Sequence, residues 1–337
     1  MRCLYFKFLI LIIVTFFTIS ATPFKYYYLT TSDGVKIRVG RYCGPNAKTH
    51  NTNVLLVLPG LVSRIERQEF LATFYASSGF DVWVLDFRGQ GESQRLVENK
   101  QMAHVNDFSD YIRDVEALMQ MDIIRNKRMS LHGHSMGGQI ALQVLCKYPH
   151  KFELAMLEAP MIQIKTSFPF FLAEPLAYIF KNWLGKGKEY CLSNGDYNQT
   201  KESFEHNTSC RDKDFFNQYR YIPESQKEMI PRKPSWGWAY TALRTTREFL
   251  NNLNPLKKVT TKVFLASAGD DKTVDTKYDT LIVSTLPKAS HRVYQNAWHW
   301  LLHDTPATRK SYLADISTFL KASEKFTENN ANKKSEL

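Results

Sequence analysis

No C-x-x-C pair and no cysteine–histidine spacing of the zinc type occurs in the chain, so its five cysteines do not point to a metal site. Basic residues never run beyond a pair such as Lys257-Lys258, although the net charge is +11. Charge scattered in this way argues against a nucleic-acid partner and leaves solubility or an anionic lipid surface as its use. Internal repeats and low-complexity blocks are missing. So are G-x-G-x-x-G and the lysine-bearing P-loop pattern, and the glycine-rich stretch Asp86-Phe87-Arg88-Gly89-Gln90-Gly91-Glu92-Ser93 is therefore no nucleotide cradle. The apolar run from Phe8 to Ile19 is short for a membrane-spanning helix.

What is present is ample core material. The 337 residues are 44% hydrophobic, enough for one large α/β domain or two small ones. At the N-terminus a basic flank ending at Lys7 precedes the apolar run, and Ser20-Ala21 closes it, as in a secretory signal. Cleavage near Ser20 or Ala21 is expected, with an uncleaved anchor ending near Lys25 as the alternative. Either one makes the protein exported or membrane-associated. Cys191 and Cys210 flank a polar segment with two N-x-[ST] sequons, at Asn198 and Asn207. A disulfide between these cysteines and a pair of thiols are both open on the sequence alone.

The chain is organised around Met129-Ser130-Leu131-His132-Gly133-His134-Ser135-Met136-Gly137-Gly138, which contains Gly133-x-Ser135-x-Gly137. A serine at a sharp strand-to-helix turn has its hydroxyl exposed, and small residues two before and two after let strand and helix pass closely. The flanks fit: a short strand precedes Ser135 and an apolar helix, Gln139 to Cys146, follows it. Phe24–Leu29 and Val35–Tyr42 read as a hairpin around Asp33-Gly34. Asn53–Leu58, Asp81–Leu85 and Phe152–Leu157 read as strands buried on both faces, with helices between them from Glu66 to Ser78 and from Asp107 to Met121. This alternation predicts a doubly wound, mostly parallel sheet, with the site beyond the carboxyl ends of its strands. Between Met161 and Arg244 the alternation stops, and sixteen aromatics and five prolines crowd in. That segment is expected to be a helical insertion over the site, with Trp236 and Trp238 as candidates for a substrate pocket. Alternation returns with strands at Thr261–Ala266 and near Val293 and helices at Lys277–Leu286 and Ala307–Lys321.

A serine nucleophile needs a base, and the base needs an orienting acid. In this fold class they follow in the order serine, acid, histidine, each just after a late strand. Asp270-Asp271 and His299 occupy those places. Asp271 is favoured over Asp270 because it heads the D-x-x-V frame Asp271-Lys272-Thr273-Val274. His132 and His134 are expected to pack or hydrogen-bond beside the elbow. The oxyanion needs preorganised donors. The backbone N–H of Met136 is one. The other is that of Leu61, in the turn after the Asn53–Leu58 strand, since Pro59 has no N–H. Nothing in the sequence asks for a metal or an organic cofactor.

These motifs resemble the α/β-hydrolases of the monoglyceride lipase and lysophospholipase family. The stretches that carry the similarity are Asp86 to Leu96, His104 to Tyr111, His134 to Gly138, Ala159-Pro160-Met161, Trp236-Gly237-Trp238 and Ala297-Trp298-His299. They look most like the bacterial lysophospholipase PldB type, over residues 30 to 320. Many relatives carry His-Gly in the oxyanion turn where this chain has Pro59-Gly60. The patterns along the chain divide it into a leader of 1–21, a hydrolase core over 22–160 and 246–322, a cap over 161–245 and a disordered tail over 323–337. The resemblance implies hydrolysis of one acyl ester on a glycerol backbone, with a lysophospholipid as first substrate and a monoacylglycerol next; the N-terminal run and the basic charge add a membrane surface as an expected partner. A general carboxylesterase, an acyltransferase using the same acyl-enzyme, and a non-catalytic lipid-binding member of the fold are the alternatives.

Overall fold

The computed structural model describes residues 23–47, 53–166, 169–191, 195–196, 203–220 and 233–335. The expected leader over 1–21 lies outside them. Among the described residues no helix is long and apolar enough to cross a membrane.

Among the described residues ten strands form an eight-stranded sheet and a two-stranded ladder. They are β1 (Phe24–Thr30), β2 (Lys36–Tyr42), β3 (Asn53–Leu58), β4 (Asp81–Asp86), β5 (Met102–Ala103), β6 (Arg128–His134), β7 (Phe152–Glu158), β8 (Lys233–Pro234), β9 (Lys262–Ala268) and β10 (Ala289–Tyr294). The main sheet runs β1-β2-β4-β3-β6-β7-β9-β10, while β5 pairs with β8. The expected hairpin is β1 with β2, and β2 joins β4 antiparallel; from β4 to β10 every pairing is parallel. The chain passes outward from β3 to β4, then crosses back to β6 on the other side of β3. That reversal is the topological switch at which open α/β sheets open a crevice.

Burial on both faces explains the uniformly apolar strands. In β3, Val54, Leu56 and Leu58 join one core cluster, and Leu55 and Val57 join the other. Each such side chain contributes roughly 1.5–3 kcal/mol when fully buried. Helices cover both faces. α2 (Asp110–Met119) turns Tyr111, Val115 and Leu118 onto one cluster, at the spacing of a single helical stripe. α3 (Met136–Lys147) and α7 (Asp279–Thr285) share that face. α1 (Glu69–Ser77) presents Leu71, Ala72, Tyr75 and Ala76 to the opposite cluster, and α8 (Pro306–Ser335) adds Tyr312, Ile316 and Leu320. α1 ends where Gly79 takes up φ 92°, a left-handed helix stop.

Between β7 and β9 the described residues hold α4 (Phe170–Tyr178), α5 (Lys213–Arg220) and α6 (Trp236–Asn251). The expected cap boundary at 245 falls inside α6, which runs on unbroken. The reason is that α6 serves two cores. Trp236 and Leu243 sit in a small cap cluster with Ala173 and Ala177, whereas Trp238 and Ala242 belong to the main core. At the other end, α8 continues to Ser335, past the 323 boundary expected for a disordered tail. The segment has no proline or glycine to stop it.

Candidate active site

Ser135 caps the turn from β6 into α3 with φ 54° and ψ −117°, a conformation rarely taken by a residue other than glycine. Its neighbours make the turn possible. A Cβ on Gly137 would run into the Leu58 carbonyl. One on Gly138 would meet Pro160 at 2.7 Å, and one on Gly133 the Gly137 carbonyl at 2.6 Å. The small residues are needed so that α3 can lie directly against the ends of β3 and β7.

The loops after β9 and β10 bring the expected partners to Ser135. His299 Nε2 lies 2.8 Å from Ser135 Oγ, and His299 Nδ1 lies 2.6 Å from Asp271 Oδ2. The other Asp271 oxygen accepts from the amides of Thr273 and Val274, at 2.7 and 2.9 Å. Burial works to raise the Asp271 carboxyl. His299 and those two amides outweigh it and hold the group below the ordinary carboxylate value. Asp270 is exposed, and its amide is tied to the Ala297 carbonyl instead. The structure therefore brings Ser135, His299 and Asp271 together and leaves Asp270 outside.

The expected oxyanion donors flank the same point. Met136 opens α3, whose first-turn amides have no acceptor within the helix. Gly60 packs so closely that a Cβ there would meet Ser135 Cβ at 3.3 Å, and Leu61 lines the same cavity as Ser135 and His299. Gln90, a residue the sequence reading left without a role, braces this turn. Its Oε1 accepts from the Val62 amide at 2.6 Å, where Val62 takes φ 61°, while Arg67 Nη1 donates to the Val62 carbonyl at 3.0 Å. Gln90 itself is set by the glycine-rich loop around it. Asp86 accepts from the Ile65 amide, the Glu92 amide and Arg38, and a Cβ on Gly91 would strike the Asp86 carboxyl.

Behind the triad lies a buried polar layer. The His132 ring takes part in a 3.0 Å hydrogen bond between Nδ1 and Tyr75 OH, and its Nε2 stands 3.6 Å from Glu158. Glu158 ends β7, and its Oε1 accepts from the Leu302 amide at 3.1 Å. Burial would raise the Glu158 carboxyl; the neighbouring His132 and His134 rings and the Leu302 amide outweigh it and pull it to about 2. The His134 ring packs on that of His299, with centroids 5.0 Å apart. Burial pushes His134 down to about 4 and His303 to about 3. Glu158 is a further site residue the sequence reading missed, because its partner is 144 residues away.

The cavity over Ser135 has a volume of about 330 Å³. Its lining includes Leu61, His134 and His299 from the core and Ser203, His206, Ser209, Phe216 and Lys233 from the cap. Trp236 and Trp238, the expected pocket residues, do not line it. Trp236 stacks on Phe180 at 4.1 Å between ring centres. Trp238 donates from Nε1 to Tyr111 OH at 3.1 Å and packs edge-on against Phe108. Both are structural members of α6. Cys191 and Cys210 are thiols with no disulfide between them. Among the described residues no group of three or more histidine, cysteine, aspartate or glutamate side chains is arranged to hold a metal.

The resemblance spans most of the chain in one bacterial relative and about half of it in another. The probable lysophospholipase L2 of Haemophilus influenzae is 24% identical over 299 residues, covering 88% of this chain and 92% of that protein. Lysophospholipase L2 of Escherichia coli K12 is 31% identical over 156 residues, covering 46% of this chain and 44% of that protein. In structure, a soluble variant of the Saccharomyces cerevisiae monoglyceride lipase superposes with a TM-score of 0.70 at 17% identity, over 90% of this chain and 98% of that one; this likeness concerns the fold. A family profile described as serine aminopeptidase S33 matches residues 49–306. With the α/β-hydrolase sheet and the serine elbow described above, the chain belongs to the serine aminopeptidase S33 family of serine hydrolases.

Proposed function

We propose that the protein is an ester hydrolase that cleaves the single acyl ester of lysophospholipids through an acyl-enzyme on Ser135. Ser135 Oγ attacks the ester carbonyl while His299 Nε2 takes its proton, and Asp271 holds the imidazole in the required tautomer. The amides of Leu61 and Met136 receive the oxyanion. The tetrahedral adduct collapses as His299 returns the proton to the departing glycerol oxygen. A water molecule, deprotonated by the same histidine, then releases the fatty acid and restores Ser135.

The observation that carries the substrate class is the charge of the cavity. Among its described lining residues there is no aspartate or glutamate, while Arg67 and Lys233 face it. That balance favours a phosphate-bearing substrate over the α-ammonium of a peptide. The names of the two bacterial relatives point the same way. We also propose that the enzyme works at an anionic lipid surface. Phe171, Leu172, Trp183 and Leu184 stand exposed on the cap, with Lys181 and Lys186 between and beside them. The apolar run over 8–19 supports export or anchoring.

The test is product analysis on purified protein with a lysophospholipid, a monoacylglycerol of the same acyl chain, a short soluble ester and an aminoacyl amide. Fatty acid release with the highest kcat/KM on the lysophospholipid is expected. Preference for the monoacylglycerol moves the assignment to a monoacylglycerol lipase. Transfer of the acyl group to an added alcohol at the expense of free acid makes it an acyltransferase, and efficient amide cleavage ends the ester reading.

A further inference from the structure

The catalytic histidine sits in a loop that is gripped at every second amide. Trp298 N–H donates to Asp304 Oδ2 at 3.2 Å, Trp300 N–H to the Ser209 carbonyl at 2.9 Å, and Leu302 N–H to Glu158 Oε1 at 3.1 Å. Only the last of these acceptors is part of the sheet. Ser209 belongs to the cap. Asp304 is fully buried, and a second cap residue, Arg211, holds it from the other side. Arg211 Nη2 reaches Asp304 Oδ2 at 2.8 Å, while Arg211 Nε and the Arg211 amide reach Oδ1 at 3.1 and 3.0 Å. One carboxylate thus joins the cap lip to the residue before His299, and one cap carbonyl joins it to the residue after.

We infer that Arg211 and Asp304 are positioning residues for His299, so that the catalytic base is set only when the cap lip is seated. The physical reason is geometric. His299 must keep Nε2 within hydrogen-bond reach of Ser135 and Nδ1 on Asp271 at the same time, and a loop with three anchored amides has little freedom to swing the ring. Loss of the Arg211 side chain leaves the buried Asp304 carboxylate without a counter-ion, held only by two amides, which drives it toward solvent and away from the Trp298 amide. The ring then drifts by a fraction of the distance that matters for proton transfer. Misplacement of about 1 Å costs up to 10²-fold in rate. The cap thereby acts on proton transfer as well as on binding, and this holds whichever ester is the natural substrate.

Arg211→Ala is the main test, read with a short soluble ester that makes no use of the acyl or head-group pocket. Expected is a fall in kcat of about tenfold or more with KM within about twofold, and an equal fall in the rate at which a fluorophosphonate captures Ser135. Added guanidinium at non-denaturing concentration is expected to restore part of both. Arg309→Ala serves as control, because Arg309 ties the cap to α8 through Asp212 at 3.2 Å and reaches Asp304 only at its backbone carbonyl, at 3.3 Å, leaving the carboxylate to Arg211. It is expected to lower the melting temperature as Arg211→Ala does while sparing kcat. The double variant Arg211→Ala with Asp304→Asn is expected to be no slower than Asp304→Asn alone. If Asp304→Asn does not fold, the Arg211 arm and the guanidinium rescue decide. Wild-type kcat and capture rate in Arg211→Ala overturn the inference, as does an equal loss in Arg309→Ala. Neither result bears on the lysophospholipid assignment, which the substrate panel tests separately.

Discussion

At the scale of single residues, the site rests on contacts of two kinds. The triad is a matter of order and place: a serine in an elbow, then an acid and a histidine each just after a late strand. Ser135→Ala is expected to abolish covalent labelling by an organophosphonate and to cost about 10⁶ in kcat. Asp271→Asn is expected to cost about 10⁴, by leaving His299 with the wrong tautomer. Asp270→Asn, an exposed side chain, is expected to stay within about threefold of wild type, since surface changes away from such features are small. A greater loss from Asp270→Asn than from Asp271→Asn, measured on one ester, would reassign the acid. The second kind of contact joins residues distant in sequence. Gln90 meets Val62 across 28 positions and Glu158 meets Leu302 across 144. No spacing rule reports such a pair. The stretch around Gln90 was legible as a family resemblance, but its work of bracing the oxyanion turn needs the folded loops. Gln90→Leu is expected to lower kcat by about tenfold to 10²-fold with little change in KM, because the donor at Leu61 loses its fixed aim. An effect on KM alone would place Gln90 in substrate binding instead.

At the scale of elements, the strands were the most legible part. Uniform apolarity announces burial on both faces, and β3, β4, β7 and β9 fall within a residue or two of where the sequence places them. The cap was legible as a break in alternation, but its internal roles were not. Trp236 and Trp238 show why. Two residues apart on a helix they point about 200° away from each other, so one faces the cap cluster and the other the main core. Gly237 between them fits because a Cβ there would meet His104 at 2.7 Å and the Gly187 carbonyl at 2.8 Å. The most exposed apolar residues are elsewhere in the cap: Phe171 and Trp183 are each 74% exposed. Such exposure next to lysines suits insertion into a lipid interface. Phe171→Ser with Trp183→Ser is expected to weaken sedimentation with vesicles containing anionic lipid by about tenfold, at roughly 1 kcal/mol or less per side chain after partial burial. Turnover of a short soluble ester should be unchanged. Equal vesicle binding by variant and wild type would remove the cap from the proposed docking surface.

At the scale of the whole molecule, the buried polar layer behind the triad makes stability depend on pH in a predictable direction. Burial holds His134 at about 4 and His303 at about 3, both below the ordinary histidine value, so each is neutral in the folded chain at pH 7. The unfolded chain takes up a proton at each as pH falls through about 6.5. A group with a depressed folded value contributes stability that is fully present above its unfolded value and lost as pH falls through the folded one. For these two histidines the window runs from about 6.5 down to about 3–4, with a joint slope of roughly 2–3 kcal/mol per pH unit in its middle. Glu158, held at about 2, adds a loss in the same direction that begins only below the ordinary glutamate range. Acid sensitivity should therefore start two pH units higher, about, than titration of carboxylates alone would bring it. Denaturant unfolding at pH 7 and pH 5 measures the difference. His303→Gln keeps a polar side chain and removes one titrating site, and it should shrink the gap between the two pH values by about 1–2 kcal/mol. Parallel pH dependences for His303→Gln and wild type would mean that this histidine is solvated in solution and that the layer behind the triad is open to water.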